Sequence, residues 1–282
     1  MCCKSSRFGA FVGSGTSSFV PHESPSGLRL SGSAALSVDP TRTLTLRRWF
    51  ESDMKRRFSF LSRAVRTKIE SGVVDVDELS SWLDSQVEIV LLSMNYARSV
   101  FSLSPSGRWT DRYIQLAYNR GMTRATVELN RVGIQTRNLR VNVRGPLGSL
   151  SILMSKVYAE LCGIAQVVKQ KIIRTFSDGL LAETSTSKLA ARISKVIKGV
   201  FVSNARPLTH AEIVRAHHNA MVDECEKYGI SQFRVRAEWV TAGDGNVCSR
   251  CADMEGRVFS LDEIRELIPY HPFCRCLALP IV

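Results

Sequence analysis

Apolar positions recur every three or four residues from Leu46: Phe50, Met54, Phe58, Leu61, Val65 and Ile69 share one stripe. That period predicts an amphipathic helix, closed at Gly72. Its other face carries Arg47, Arg48, Lys55, Arg56, Arg57, Arg63, Arg66 and Lys68. A second helix is predicted to start after Asp75 or Asp77, either of which can cap free backbone N–H groups. Its apolar positions run from Leu79 through Trp82, Leu83, Val87, Val90, Leu91 and Met94 to Phe101, and Ser104-Pro-Ser-Gly107 breaks it. A third helix is predicted over about 110–130, followed by loop or short strand over 131–149. A long helix over 150–176 carries Leu153, Val157, Leu161, Ile164, Val168, Ile172 and Phe176, with Asp178-Gly179 read as its C-terminal closure.

Another helix is expected over 186–202, capped by Thr186 or Ser187. Thr209-His-Ala-Glu212 then reads as a capping box, in which Thr209 meets the backbone N–H of Glu212 and the Glu212 carboxylate reaches back. That helix should run to Tyr228 and stop at Gly229. On it, His217 and His218 diverge by ~100°, so one is expected exposed and the other half-buried. Cys162 and Cys225 occupy apolar helix positions and read as core thiols. Strand patterning appears only beyond Gly229, in Phe233–Val240 and around Arg257-Val-Phe259. The fold class is therefore mainly α with a small α+β C-terminal module. Residues 1–41, rich in Ser, Gly and Pro without apolar period, read as a flexible arm. Residues 42–206 form a helical body, and 207–282 form the module.

Charge sharpens this division. The chain of 282 residues carries a net +12. Residues 1–206 hold 30 Lys/Arg against 15 Asp/Glu, whereas residues 207–282 hold 8 against 11. The basic surface belongs to the body, and Arg47, Arg48, Lys55, Arg56, Arg57, Arg63 and Arg66 are its candidate contacts for DNA or an acidic partner. Aromatic residues are not interleaved with them as stacking platforms, so base readout on single strands is not indicated. No run approaches the ~18 apolar residues of a membrane span, and the N-terminus lacks the apolar core of a signal peptide. A reducing, cytoplasm-like setting follows, in which cysteines serve as thiols or metal ligands rather than disulfides.

The chemistry concentrates in the module. Cys248-x2-Cys251 is followed, after nineteen residues, by His271-x2-Cys274-x-Cys276. A C-x2-C turn can aim two thiolates at one zinc, and residues 274 and 276 of an extended segment project to the same face. Four ligands can be drawn from these five residues, giving a structural zinc. Buried structural thiols are the plainer reading, and a redox pair is a third. Catalysis would need an open metal position with a nearby base. The loop acids Asp244, Asp253 and Glu255 stand beside glycines and read as turn formers. Phosphate loops, dinucleotide fingerprints and HExxH are not found, so the chain is not read as an enzyme.

The C-terminal ~75 residues resemble the phage Mu F-like head morphogenesis family, the minor head proteins of tailed bacteriophages. The landmarks, in order, are Glu212-Ile-Val-Arg-Ala-His-His-Asn-Ala220, Gly229, Trp239, Thr241-Ala-Gly-Asp-Gly-Asn-Val-Cys248-Ser-Arg-Cys251, Gly256-Arg-Val-Phe259 and Pro269-Tyr-His-Pro-Phe-Cys-Arg-Cys276. Upstream, Phe176-Ser-Asp-Gly179 and Lys188-Leu-Ala-Ala-Arg192 look like the helical part that precedes this module. His210-Ala211-Glu212 stands where the family often has Arg-Thr-Glu, so an ion pair through that arginine is not carried over. The resemblance implies a low-copy virion protein, made in the host cytoplasm and located at the portal vertex or capsid interior. Its partners would be the portal protein, the major capsid protein and packaged DNA, and its role head assembly with DNA packaging or ejection. A zinc-stabilised nucleic-acid-binding protein is the rival reading.

Overall fold

The computed structural model describes residues 39–72, 75–92, 108–136, 147–229 and 235–282. The expected arm up to residue 38, the helix extension over 93–101, the break at 104–107 and the loop over 137–146 lie outside the described residues.

The first helix, α1 (Leu44–Glu70), buries Leu46, Phe50, Met54, Phe58, Leu61, Val65 and Ile69, the stripe read from its period. Helix α2 (Val76–Val87) starts at Asp75, whose carboxylate accepts from the amides of Asp77 and Glu78. It widens into a π turn over Glu88–Leu92. Such a turn displaces backbone carbonyls from their usual partners. Here Arg57 Nη1 donates to the Val90 carbonyl at 2.7 Å and Trp109 Nε1 to that of Leu91 at 2.8 Å. The Arg57 guanidinium lies over the Trp109 ring, 4.2 Å from its centroid. Arg57 is thus buried, contrary to the polar face expected from the sequence. Arg47 is buried too, paired with Asp39, which also accepts from Thr41.

Helix α3 (Asp111–Arg131) follows the sequence reading closely. Helix α4 (Leu147–Leu181) does not stop at Asp178-Gly179. Gly179 lies inside it at a crossing with α5 (Thr186–Val200), where a Cβ would come within 2.4 Å of Leu189 Cδ1. The glycine serves close packing there, and the chain reverses later, with Glu183 in the left-handed region and the Thr184 amide donating to the Gly179 carbonyl. The residue flanking α5 is Ser185, which makes no side-chain cap bond. Helix α4 is long and apolar enough to cross a bilayer by length and composition. Its stripe, Leu153 through Phe176, is instead part of the buried core shared with α1, α2 and α5.

The predicted start at Thr209 is also corrected. Helix α5 runs through a second π turn, Phe201–Ala205, directly into α6 (Arg206–Gly229). Pro207, which lacks an amide hydrogen, falls in the first turn after the widened segment, where the helix tolerates it. With no free helix end at Thr209, no box forms: its hydroxyl donates to the Arg206 carbonyl at 2.8 Å, and Glu212 pairs with Arg215.

Helix α6 is the spine of the described structure. Its contact with α3 is closest at Gly121, where a Cβ would lie 2.1 Å from the His217 carbonyl oxygen. Both His217 and His218 are buried, correcting the expected split. The α3 partner covers one ring, while α8 (Leu261–Leu267) covers the other, His218 Nε2 donating to the Ile264 carbonyl at 2.8 Å. The buried cysteines 162 and 225 are core thiols as read. Beyond α6 an antiparallel sheet forms in the order β2-β1-β3, from β1 (Arg236–Val240), β2 (Val258–Phe259) and β3 (Leu277–Ile281). The short α7 (Ser249–Ala252) lies between β1 and β2. Strand β1 pairs with both neighbours, Ala237 facing Phe259 on one side and Pro280 on the other. Trp239 is fully buried beside Phe259 and Tyr270.

Candidate metal centre

The five predicted residues converge. Potential ligand atoms of Cys248, Cys251 and His271 lie within 4.8 Å of one another, and so do those of Cys251, Cys274 and Cys276. Cys251 belongs to both sets. Cys248 precedes α7, and its sulfur accepts from the Cys251 amide at 3.4 Å, so the first turn of this short helix aims both sulfurs one way. The second pair arrives through the turn His271-Pro-Phe-Cys274. The Cys274 amide bonds the His271 carbonyl at 3.1 Å, with Phe273 at φ +63°, in the manner of a type II turn.

His271 presents a defined nitrogen. Its Nδ1 lies 2.6 Å from the Pro272 carbonyl oxygen, which can only accept, so Nδ1 carries the proton. The lone pair of Nε2 is then directed at the sulfurs of Cys248 and Cys251, at 3.3 and 3.1 Å. Holding one ring nitrogen by a backbone carbonyl while the other faces soft ligands is how proteins orient a metal-binding imidazole.

The sulfurs share charge unequally. Hydrogen bonding from Cys276 brings the Cys274 thiol down to about 5. Burial and the adjacent Cys274 sulfur push Cys251 up to about 12, and the Cys274 contact also raises Cys276. Burial and mutual repulsion thus oppose ionisation of Cys251 and Cys276, and a dication is the group that would favour it. A small, partly open pocket of about 20 Å³ lies against Cys248, Cys251, His271 and Cys276, with Phe273 and Arg275 also lining it. Cys251, Cys274, Cys276 and His271 can therefore hold a metal ion.

Supporting contacts that the sequence reading passed over surround the cluster. Arg275 binds Asp244 through two bonds of 2.6 Å, and the Thr241 amide donates to Glu255 at 2.7 Å. Phe273 packs edge-on to His210 and lies under the Arg206 guanidinium. Arg206 and His210 both pair with Glu51 of α1, which joins the Cys/His turn to the first helix. On the far side Arg265 of α8 pairs with Asp223 and Glu226, and Tyr118 of α3 donates to Asp223. Ser260 and Glu263 form the capping box of α8, a Ser-x-x-Glu signal legible in the sequence.

The basic candidates divide. Arg48, Lys55, Arg56, Arg63 and Arg66 are exposed, and Arg47 and Arg57 are buried. Lys55, Arg56 and Arg63 line a cleft of about 1250 Å³ together with Lys198 and Arg206.

A mainly helical chain that ends in a small α+β module gathered around a Cys/His cluster is the class these features define. Residues 166–279 match the family described as Phage Mu protein F like protein. That similarity points to a bacteriophage head morphogenesis protein. Comparison with curated proteins and with solved structures gave no match.

Proposed function

We propose that the chain is a structural minor head protein of a tailed bacteriophage, present in few copies. It acts at the portal vertex or capsid interior in head assembly and in DNA packaging or ejection. The observation that carries this reading is the Mu F-like match over residues 166–279, a span that includes the residues gathered at the cluster. A structural zinc held by four of Cys248, Cys251, His271, Cys274 and Cys276 fits the donor set of sulfurs and one imidazole nitrogen. A bound zinc supplies a cross-link there: Cys251, common to both groups, ties α7 to the turn before β3. The supply of four protein donors, with no base among them, favours this structural role over a catalytic one. The exposed face of α1 and the module surface are then the docking surfaces for portal, coat or DNA.

Co-expression of the tagged chain with the portal and coat proteins of the same phage tests the reading. The chain should elute with the portal oligomer and be found in purified particles. Particles of normal composition that lack it would contradict the proposal. The second reading, nucleic-acid binding as the main activity, draws on the exposed cations of the α1 cleft. It predicts duplex binding whose affinity falls steeply with salt and persists without any head protein.

A further inference from the structure

A second cleft lies between α3, the segment before α1 and His217 of α6. It encloses about 470 Å³, and Arg42, Arg120, Arg124 and Arg131 line it. Three of these arginines repeat along one face of α3 at helical spacing. The carboxylate of Glu128 pairs with Arg124 and Arg131 at 2.8 and 3.0 Å, while nearby Asp39 is taken up by Arg47. Arg42 and Arg120 make no ion pair among the described residues. The lining thus holds a surplus of guanidinium charge with unused donors.

Further observations single this place out. His217 lines the cleft, is 2% exposed and has an Nδ1 without a partner among the described residues. Arg124 Nε and Asn119 Oδ1 in the same lining are likewise buried and unbonded. Arg42 adopts φ +53°, a region unfavourable for a residue with a Cβ and one that is often retained where function needs it. Burial lowers the Arg124 pKa, and Arg42 and Arg131 add to the effect by like-charge repulsion. An anion relieves that repulsion, and the planar fork of arginine matches oxyanion geometry better than a lysine would.

We propose that this cleft binds a phosphate-class oxyanion, with Arg42 and Arg120 as the unpaired donors and Arg124 as the fixed one. The site is separate from the Cys/His cluster and does not depend on a metal there. Its ligand is either a backbone phosphate of a nucleic acid or a small free oxyanion, since both present the same group.

Calorimetric titration of the full chain with inorganic pyrophosphate at physiological ionic strength tests this. Saturable binding of one equivalent is expected. The exposed-residue variant Arg42→Gln/Arg120→Gln should weaken it by about tenfold or more, with an unchanged circular dichroism spectrum. Lys171→Gln, exposed on α4 and outside the cleft, should bind like the parent. Competition with a short duplex then separates the sources: displacement makes the backbone phosphate the ligand, and no displacement makes it a small oxyanion. Absence of saturable binding in the parent, or equal binding by the double variant, overturns the proposal.

Discussion

Arg275 grips Asp244 through both guanidinium nitrogens, each bond 2.6 Å long. Arg275 sits between Cys274 and Cys276, and Asp244 four residues before Cys248. The pair therefore joins the two segments that carry the cluster, independently of any ion. The guanidinium holds the Asp244 carboxyl down at about 2, so the pair stays charged across the physiological range. Asp244→Asn keeps the shape and removes the charge. It should lower metal affinity by about 10- to 100-fold, as loss of ligand-supporting contacts does, while helical content stays constant. Chelator competition measures the first and circular dichroism the second. Unaltered metal affinity would show that the cluster assembles without this clamp.

His217 and His218 set an acid limit on stability. Burial is the main cause in both, pushing His217 down to about 3 and His218 to about 4. Around His217 stand His218, Arg124, Asp39 and Arg120, and around His218 stand Arg265, Arg215 and Asp223. Unfolded histidine titrates near ~6.5. Below that pH the unfolded chain takes up protons that the folded chain excludes, so stability falls as pH drops from 6.5 toward 4. Each ring contributes up to about 1.4 kcal/mol per pH unit in that window and nothing above it. Urea midpoints at pH 7 and pH 5 measure the loss. His218→Gln, which retains a donor for the Ile264 carbonyl, should reduce the slope by about half. A midpoint independent of pH between 7 and 5 would be inconsistent with two buried neutral rings.

The two helix crossings at glycines rank differently. At Gly121 an added methyl meets the His217 backbone oxygen, which cannot move without shifting α6. At Gly179 it meets the Leu189 side chain, which can change rotamer. Gly121→Ala should cost about 3 kcal/mol or more and Gly179→Ala about 1–2 kcal/mol. Chemical denaturation of the two variants gives the comparison, and equal losses would contradict the closer approach at Gly121.

The arginines of α1 should separate by burial. Arg57→Ala removes the partner of the Val90 carbonyl and should destabilise the body by about 2 kcal/mol. Arg63→Gln/Arg66→Gln should leave stability within about 0.5 kcal/mol. If the α1 face contacts DNA, the double variant should also reduce the salt slope of duplex binding by about two. Unfolding curves and binding isotherms at several salt concentrations read the two effects.

The stripes of α1 and α4 were legible because a core helix repeats its apolar residues at the helical period. The cluster was legible for a different reason, since Cys and His at knuckle spacing are rare by chance. What escaped were relationships between distant segments. Arg47 and Arg57 look solvated in a helical projection, and only Asp39 and the π-turn carbonyl of Val90 draw them inside. Thr209-x-x-Glu212 has the composition of a helix start, but the preceding helix arrives without a break. Gly179 reads as a terminator until Leu189 is seen against it. Strand β3 went unpredicted because Leu277-Ala-Leu-Pro-Ile281 lacks clean alternation and gains its strand geometry from β1.

Metal content of the full chain, purified without chelator and measured by elemental analysis, tests the clamp most directly. About one zinc per chain is expected. Cys251→Ser, which removes the residue common to both ligand groups, should lose that zinc and expose Trp239 while α1 to α5 keep their helicity. A parent chain with essentially no bound metal, and with Trp239 still buried, would contradict the account.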